Sequence, residues 1–235
     1  MPPPAYLLVF SEPGEKVTQD LFDDWYDNEH VPARVATSTF SSWVRLEAID
    51  GQKPRFGAAY DLSSFEETRG PPYTTLWETQ SDREKRIFVE SELFDRRMYE
   101  LYDQSPTHAP SALFDKNAAA PIMVFRGVDV KEEAEGEFIK WWLEEHVPLL
   151  SKVPGWVRSR MFVLKESGYR GVEADKQTRV PTKFMGVHEW TNADFEGHPE
   201  YKASLETPWR EQVMKSLIGS ERRVFKLLRQ WGREE

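Results

Sequence analysis

The chain has 235 residues, with 40 Asp and Glu against 31 Lys and Arg, a net charge of −9 and a pI near 5.2. That acidic balance argues against nucleic-acid and anionic-membrane partners, which require basic faces, and zero cysteines exclude disulfides, thiolate nucleophiles and Cys-ligated metals. A mean hydropathy of −0.65, no run approaching the ~20 apolar residues of a membrane span, and a start, MPPPAYLLVF, without basic n-region or long apolar core lead to the expectation of a cytoplasmic globular protein.

From the N-terminus, Ala5 to Ser11 is an apolar run bounded by proline and glycine, expected as a buried strand, and Glu12-Pro13-Gly14 turns it. Thr18 has the chemistry of a helix N-cap. Leu21, Phe22, Trp25, Tyr26, Glu29 and His30 then recur at helical spacing, with Asp20, Asp23, Asp24 and Asp27 on the other face. Pro32 is expected to limit this helix. Phe40 to Ile49 alternates as a strand, Asp50-Gly51 turns, and Phe56 to Leu62 returns as the second arm of a hairpin. Ser63 to Leu93 holds charged and amphipathic helical pieces, and Asp95 to Gln104 closes the order β-α-β-β-α-β, the ferredoxin-like arrangement.

Ser105 to Pro121, rich in Pro and Ala, is expected as a linker, after which the order repeats. FDDWYDNEHVPAR (22–34) falls on FIKWWLEEHVPLL (138–150) at a constant offset of 116. Trp43-Val44-Arg45 falls on Trp156-Val157-Arg158 at 113, Phe56–Leu62 on Phe184–Trp190 at 128, and Asp95–Ser105 on Glu221–Trp231 at 126. The chain therefore reads as an internal duplication: a first half 1–104, a linker 105–121 and a second half 122–235. The rise in offset from 113 to 128 places an insertion at Lys165–Lys183, expected as a long hairpin loop that is either a lid over a pocket or passive.

LLVFSEPG with FDDWYDNEHVP, and IMVFRGVD with FIKWWLEEHVP, share a strand, a turn and a helix of type F-x-x-W/Y-W/Y-x-x-x-H-x-P. With HPEYKASLETPWREQV, this pattern resembles the EthD family of the dimeric α+β barrel superfamily across nearly all of both halves. The resemblance implies an α+β fold in which two tandem ferredoxin-like units form one barrel within the chain, with ligands held between a sheet and its helices. It leaves the reaction open, because the superfamily includes polyketide cyclases, decarboxylases, lactone isomerases, cofactor-free oxygenases and haem enzymes.

His30 and His146 lie on the inner stripes of their helices, and the resemblance places a histidine at this point of the motif. Alternatively, each caps the carbonyls of a last helical turn. His188 lies in a strand where Tyr60 is its counterpart; if it faces the helices, it and His146 converge on one pocket and can move protons near neutral pH. Tyr201 and its counterpart Tyr73 can donate to a carbonyl or phenolate oxygen, or simply pack. Trp141, Trp142, Tyr26 and Tyr60 are candidate substrate-binding residues, and Arg158, the counterpart of Arg45, could bind a substrate carboxylate or serve a structural ion pair.

No metal and no cofactor are expected, although haem could find an axial ligand in His146 or His30. The 31 aromatic residues fit either a large core or a pocket for a flat ligand. The expected function is a cofactor-independent lyase or cyclase using His30, His146, His188 and Tyr201 on a small aromatic or polyketide-like substrate, with the second half favoured. The alternatives are a non-catalytic small-molecule binder or stress-type protein and a cofactor-free oxygenase. A barrel completed within one chain needs no partner copy, though association of chains is compatible with it.

Overall fold

The computed structural model describes residues 2–102 and 108–232. Of the strand expected over Asp95–Gln104, Tyr102 is not in a strand; residues 103–104, and 105–107 of the expected linker, lie outside the described residues. The strands are β1 (Ala5–Glu12), β2 (Trp43–Ala48), β3 (Phe56–Leu62), β4 (Leu93–Leu101), β5 (Ile122–Val130), β6 (Trp156–Arg170), β7 (Phe184–Trp190) and β8 (Leu217–Trp231). They are hydrogen-bonded in the order β1-β3-β2-β8-β5-β7-β6-β4, a closed barrel, so the fold is α+β. No described helix is long and apolar enough to cross a membrane.

The chain divides into two compact units along a line that differs from the boundary expected at 105–121. One takes the described residues of Met1–Leu101, Leu164–Pro181 and Leu228–Glu235, the other Tyr102–Val163 and Thr182–Leu227. In the first, β1 lies between β3 and β4, with Leu7 opposite both Tyr60 and Met98. In the second, β5 lies between β7 and β8, with Val124 opposite both His188 and Val224.

Helix α1 (Gln19–Trp25) begins at Thr18, whose side chain accepts from the Leu21 N–H at 3.3 Å. It buries Phe22 and Trp25, and Phe22 meets Phe56 and Phe94 of the sheet at 5.8 and 6.0 Å between ring centres. Pro32 does not end this helix. The backbone widens into a π-helical turn at Tyr26–His30, closed by the Val31 N–H on the Tyr26 carbonyl, and continues as α2 (Val31–Val35). A proline lacks an N–H and crowds the carbonyl four residues back; the wider turn supplies the room. The second unit repeats the device in α5 (Glu135–Trp141), a π-turn at Trp142–His146 and α6 (Val147–Leu150).

Helices α3 (Thr75–Glu78) and α4 (Asp82–Glu90), and in the second unit α7 (Pro199–Ser204) and α8 (Pro208–Met214), complete the helical layers. Ser81 caps α4 by accepting from the Glu84 N–H at 3.0 Å, and Thr207 caps α8 by accepting from the Arg210 N–H at 3.1 Å. Each cap hydroxyl also bonds the glutamate of the E-H-V-P stretch, Ser81 to Glu29 and Thr207 to Glu145.

The expected loop Lys165–Lys183 is corrected at its start, because β6 runs on to Arg170. The turn after it lies against the first unit, where Val172 N–H donates to the Ser91 carbonyl at 2.9 Å and Glu173 N–H to that of Glu92 at 3.0 Å. Gly171, at φ +106°, permits that approach: a Cβ there would stand 2.6 Å from the Ser91 carbonyl oxygen.

Candidate functional site

Each unit holds a cavity, and in each the histidine at the end of the π-turn helps line it. The first cavity, about 410 Å³, is bounded by Tyr26 and His30, by Leu7 and Tyr60 of the sheet, by Tyr73, Trp77 and Phe88, and by Arg96. Glu166 to Arg170 of the β6 extension form another wall. The segment expected over the second half's pocket therefore belongs to the first.

His30 is buried at 6% exposure, and its Nδ1 meets Glu84 Oε1 at 2.6 Å. Glu84 is equally buried, and Arg34 stands 3.9 Å from the same oxygen, where its charge opposes the rise that burial imposes on the carboxyl. Burial, with Arg34 and Arg45 adding repulsion, holds the imidazole well below the usual histidine range. At neutral pH the ring is therefore uncharged, donates Nδ1–H to Glu84 and keeps a lone pair on Nε2, which has no protein partner. Burial also raises Glu84. Tyr73 O accepts from Arg96 at 3.0 Å, which leaves its own proton to donate. Arg96 and Arg69 are paired with Glu166 at 2.8 and 2.9 Å. The buried Tyr60 hydroxyl has no partner, and burial raises its pKa.

The second cavity, about 400 Å³, is bounded by Phe138, Trp141 and Trp142, by His146 and His188, by Tyr201, and by Arg126, Arg210 and Arg222. His146 stacks on Trp141 at 4.6 Å and meets the His188 ring edge-on at 5.5 Å. Its Nδ1 is buried without a partner. His146 is held well below the usual range by burial, with His188, Arg210 and Arg126 adding to it. His188 is pushed down to about 3 by burial first and by Arg222 and Arg126 second. Trp156 donates Nε1–H to Ser159 Oγ at 3.0 Å, and that oxygen lies 2.8 Å from His188 Nδ1. All three groups are satisfied when Ser159 donates to Nδ1, which puts the His188 proton on Nε2. A Cβ at Gly186 would lie 3.0 Å from that Nε2 and 3.5 Å from Trp142 Nε1, so the glycine keeps both open to the cavity.

His146, His188, Tyr201, Trp141 and Trp142 thus meet in one cavity, and His30, Tyr26 and Tyr60 in the other. Arg158 lines neither. It faces the opposite side of the sheet, bonds both carboxylate oxygens of Glu189 at 2.8 Å, and lies over Phe114 at 4.5 Å. Its role as a substrate-carboxylate ligand is corrected on strand parity: His188 faces the cavity, so its neighbour Glu189, and the arginine paired with it, cannot. His108 packs against Trp156, and neither it nor His198 lines a cavity. Among the described residues no group of three or more His, Asp and Glu could hold a metal ion. Sequence reasoning missed Glu84, Arg126 and Arg210. The signal for Glu84 was present, since with Ile87 and Phe88 it forms the buried stripe of α4, where an acidic residue is out of place.

No family model matches the chain, and no curated protein matches it. Among solved structures it is similar to an anthrone oxidase-like protein, at 11% identity and a TM-score of 0.62 over 98% of this chain and 93% of that one. It is similar to a candidate monooxygenase from Fusobacterium nucleatum subsp. nucleatum at 9% identity, with a TM-score of 0.55 over 98% and 94%. A candidate chlorite dismutase superposes at 12% identity, with a TM-score of 0.57 over 97% and 96%. At these identities the likeness establishes the fold alone, that of the dimeric α+β barrels.

Proposed function

We propose that the protein is an enzyme working by histidine acid–base catalysis, without a cofactor, on a small aromatic or polyketide-like molecule. In this reading it is a lyase or cyclase, EthD-like, built from two tandem copies, with its base in the first half. The observation that carries it is the buried His30–Glu84 pair, 2.6 Å apart, with Nε2 unpartnered beside a cavity of aromatic rings. Sequence reasoning favoured the second half, but its two imidazoles have no carboxylate behind them. His30 does, and Glu84 stabilises the imidazolium that forms when Nε2 takes a proton.

The step that follows is the removal of a proton from a carbon beside a carbonyl. His30 Nε2 takes the proton, the C–H electron pair moves onto the carbonyl oxygen as an enolate, and Tyr73, polarised by Arg96, donates to that oxygen. The enolate then attacks a second carbonyl of the same molecule, whose π pair moves onto its oxygen and takes the proton back from His30, or is reprotonated by His30 at another carbon. Tyr26, Trp77 and Phe88 hold the flat substrate.

A substrate-independent form of the first step is deuterium exchange at the acidic carbon of an aromatic β-keto ester, followed by NMR in D₂O. The protein should accelerate exchange over buffer, and H30Q should lose about 10²–10⁴ of that acceleration while melting as wild type does. Unchanged exchange in a folded H30Q would overturn the proposal. An oxygenase reading, suggested by the neighbours named oxidase-like and monooxygenase, begins from the same carbanion; dioxygen uptake with the same probe separates the two. Haem fits one end only. His30 Nε2 could ligate iron, but Arg69 and Arg96, which would take the propionates, are occupied by Glu166.

A further inference from the structure

The helix beside each cavity starts at a hydroxyl cap tied to the E-H-V-P glutamate, Ser81 in α4 and Thr207 in α8. The caps are 126 positions apart, as are β4 and β8 in the sequence match, so three residues on Glu84 is the counterpart of Arg210. The position that sets a carboxylate against the histidine in the first unit sets a guanidinium in the second.

That guanidinium has no carboxylate. Arg210 donates to the Leu205 carbonyl at 2.9 Å, Arg126 donates to the Glu221 carbonyl at 3.1 Å, and neither forms an ion pair among the described residues. Arg222 is paired with Glu196. Burial first, then the charges of Arg210 and Arg222, lower the pKa of Arg126, against smaller opposing effects from Tyr201 and Glu221. Two further polar edges are donors: Trp142 Nε1–H has no protein partner, and His188 presents Nε2–H across Gly186. The walls are apolar and flat, from Phe138 and Trp142 to Met214. Cationic and N–H donors at one end of an aromatic slot leave an acceptor-rich anion without its partner.

We propose that this second cavity is a separate binding site for a planar aromatic oxyanion, a carboxylate or a phosphate ester, with its oxygens on Arg126 and Arg210. The ring lies among Phe138, Trp142 and Met214. The site does not depend on His30 acting as a base, since it shares no residue with the first cavity.

The test is calorimetric titration of the full chain with 2-naphthoate, 2-naphthyl phosphate and uncharged 2-naphthamide. One anion should bind per chain at least about tenfold more tightly than the amide, and the affinity should fall as sodium chloride is raised. The tighter of the two anions identifies the oxyanion class. R126Q and R210Q should each cost about tenfold or more for the anions and leave the amide unchanged. R210E, which restores the charge of the first unit, should abolish anion binding. Equal binding of amide and anions, no anion binding, or wild-type affinity in whichever of R126Q and R210Q keeps the native circular dichroism would each overturn the proposal.

Discussion

His30 and His188 use opposite ends of the same ring. Glu84 takes the Nδ1–H of His30 and leaves Nε2 a lone pair, while Ser159 gives its proton to Nδ1 of His188 and leaves Nε2 a hydrogen. Imidazole ¹⁵N spectra at pH 7 should show His30 as the Nδ1–H tautomer and His188 as the Nε2–H tautomer. In E84Q the His30 signals should titrate still lower, because the anion that stabilises the imidazolium is gone. A single tautomer for both rings would contradict the hydrogen bonding. His188 contributes to the pH dependence of stability in the same direction as His30 and His146. Its folded pKa is about 3 against an ordinary 6.5, so between those values the unfolded chain binds the extra proton. Its contribution to stability is full above pH 6.5 and falls by roughly 1.4 kcal/mol per pH unit as acid is added through that window. Urea unfolding at pH 7 and pH 5 should show a smaller loss for H188N than for wild type, and equal losses would refute the assignment.

The two π-turns and two hydroxyl caps form one device used twice. The turn ends at the histidine and lets the helix run on through the proline, and the glutamate just before the histidine ties down the cap of the neighbouring helix. S81A and T207A should each cost about 1 kcal/mol, read as a lower urea midpoint at unchanged slope; a loss within error would show the caps to be dispensable. Much of this scale was legible in the sequence. The apolar runs at Ala5 and Ile122, the N-cap at Thr18 and the inner stripe from Phe22 to His30 follow from periodicity and are found in place. Pro32 misled because proline stops a helix only where the turn keeps its ordinary width. Arg210 was invisible until its cap could be paired with that of α4, since α8 is too short to show a stripe. The residues after Leu164 looked like loop because their alternation is polar on both faces and broken by glycine, yet they extend β6.

For the whole molecule, the acid–base reading predicts a colourless protein. Titration with hemin should produce no stoichiometric, shifted Soret band, since Glu166 already neutralises the guanidiniums that propionates would need; a saturable band at one equivalent would reverse that conclusion and return His30 to the role of an axial ligand. Glu166 has a wider consequence. It lies in the later half of the sequence, but it and the residues up to Arg170 wall the cavity of the first unit, and Gly171 turns the chain onto Ser91. The chain therefore cannot be cut between the expected halves without removing a wall of that cavity. A gene fragment ending at the linker would encode His30, Glu84 and Tyr73 but leave Arg69 and Arg96 as neighbouring like charges with nothing between them. Any fragment or permutation that parts the two stretches has to replace that single borrowed carboxylate.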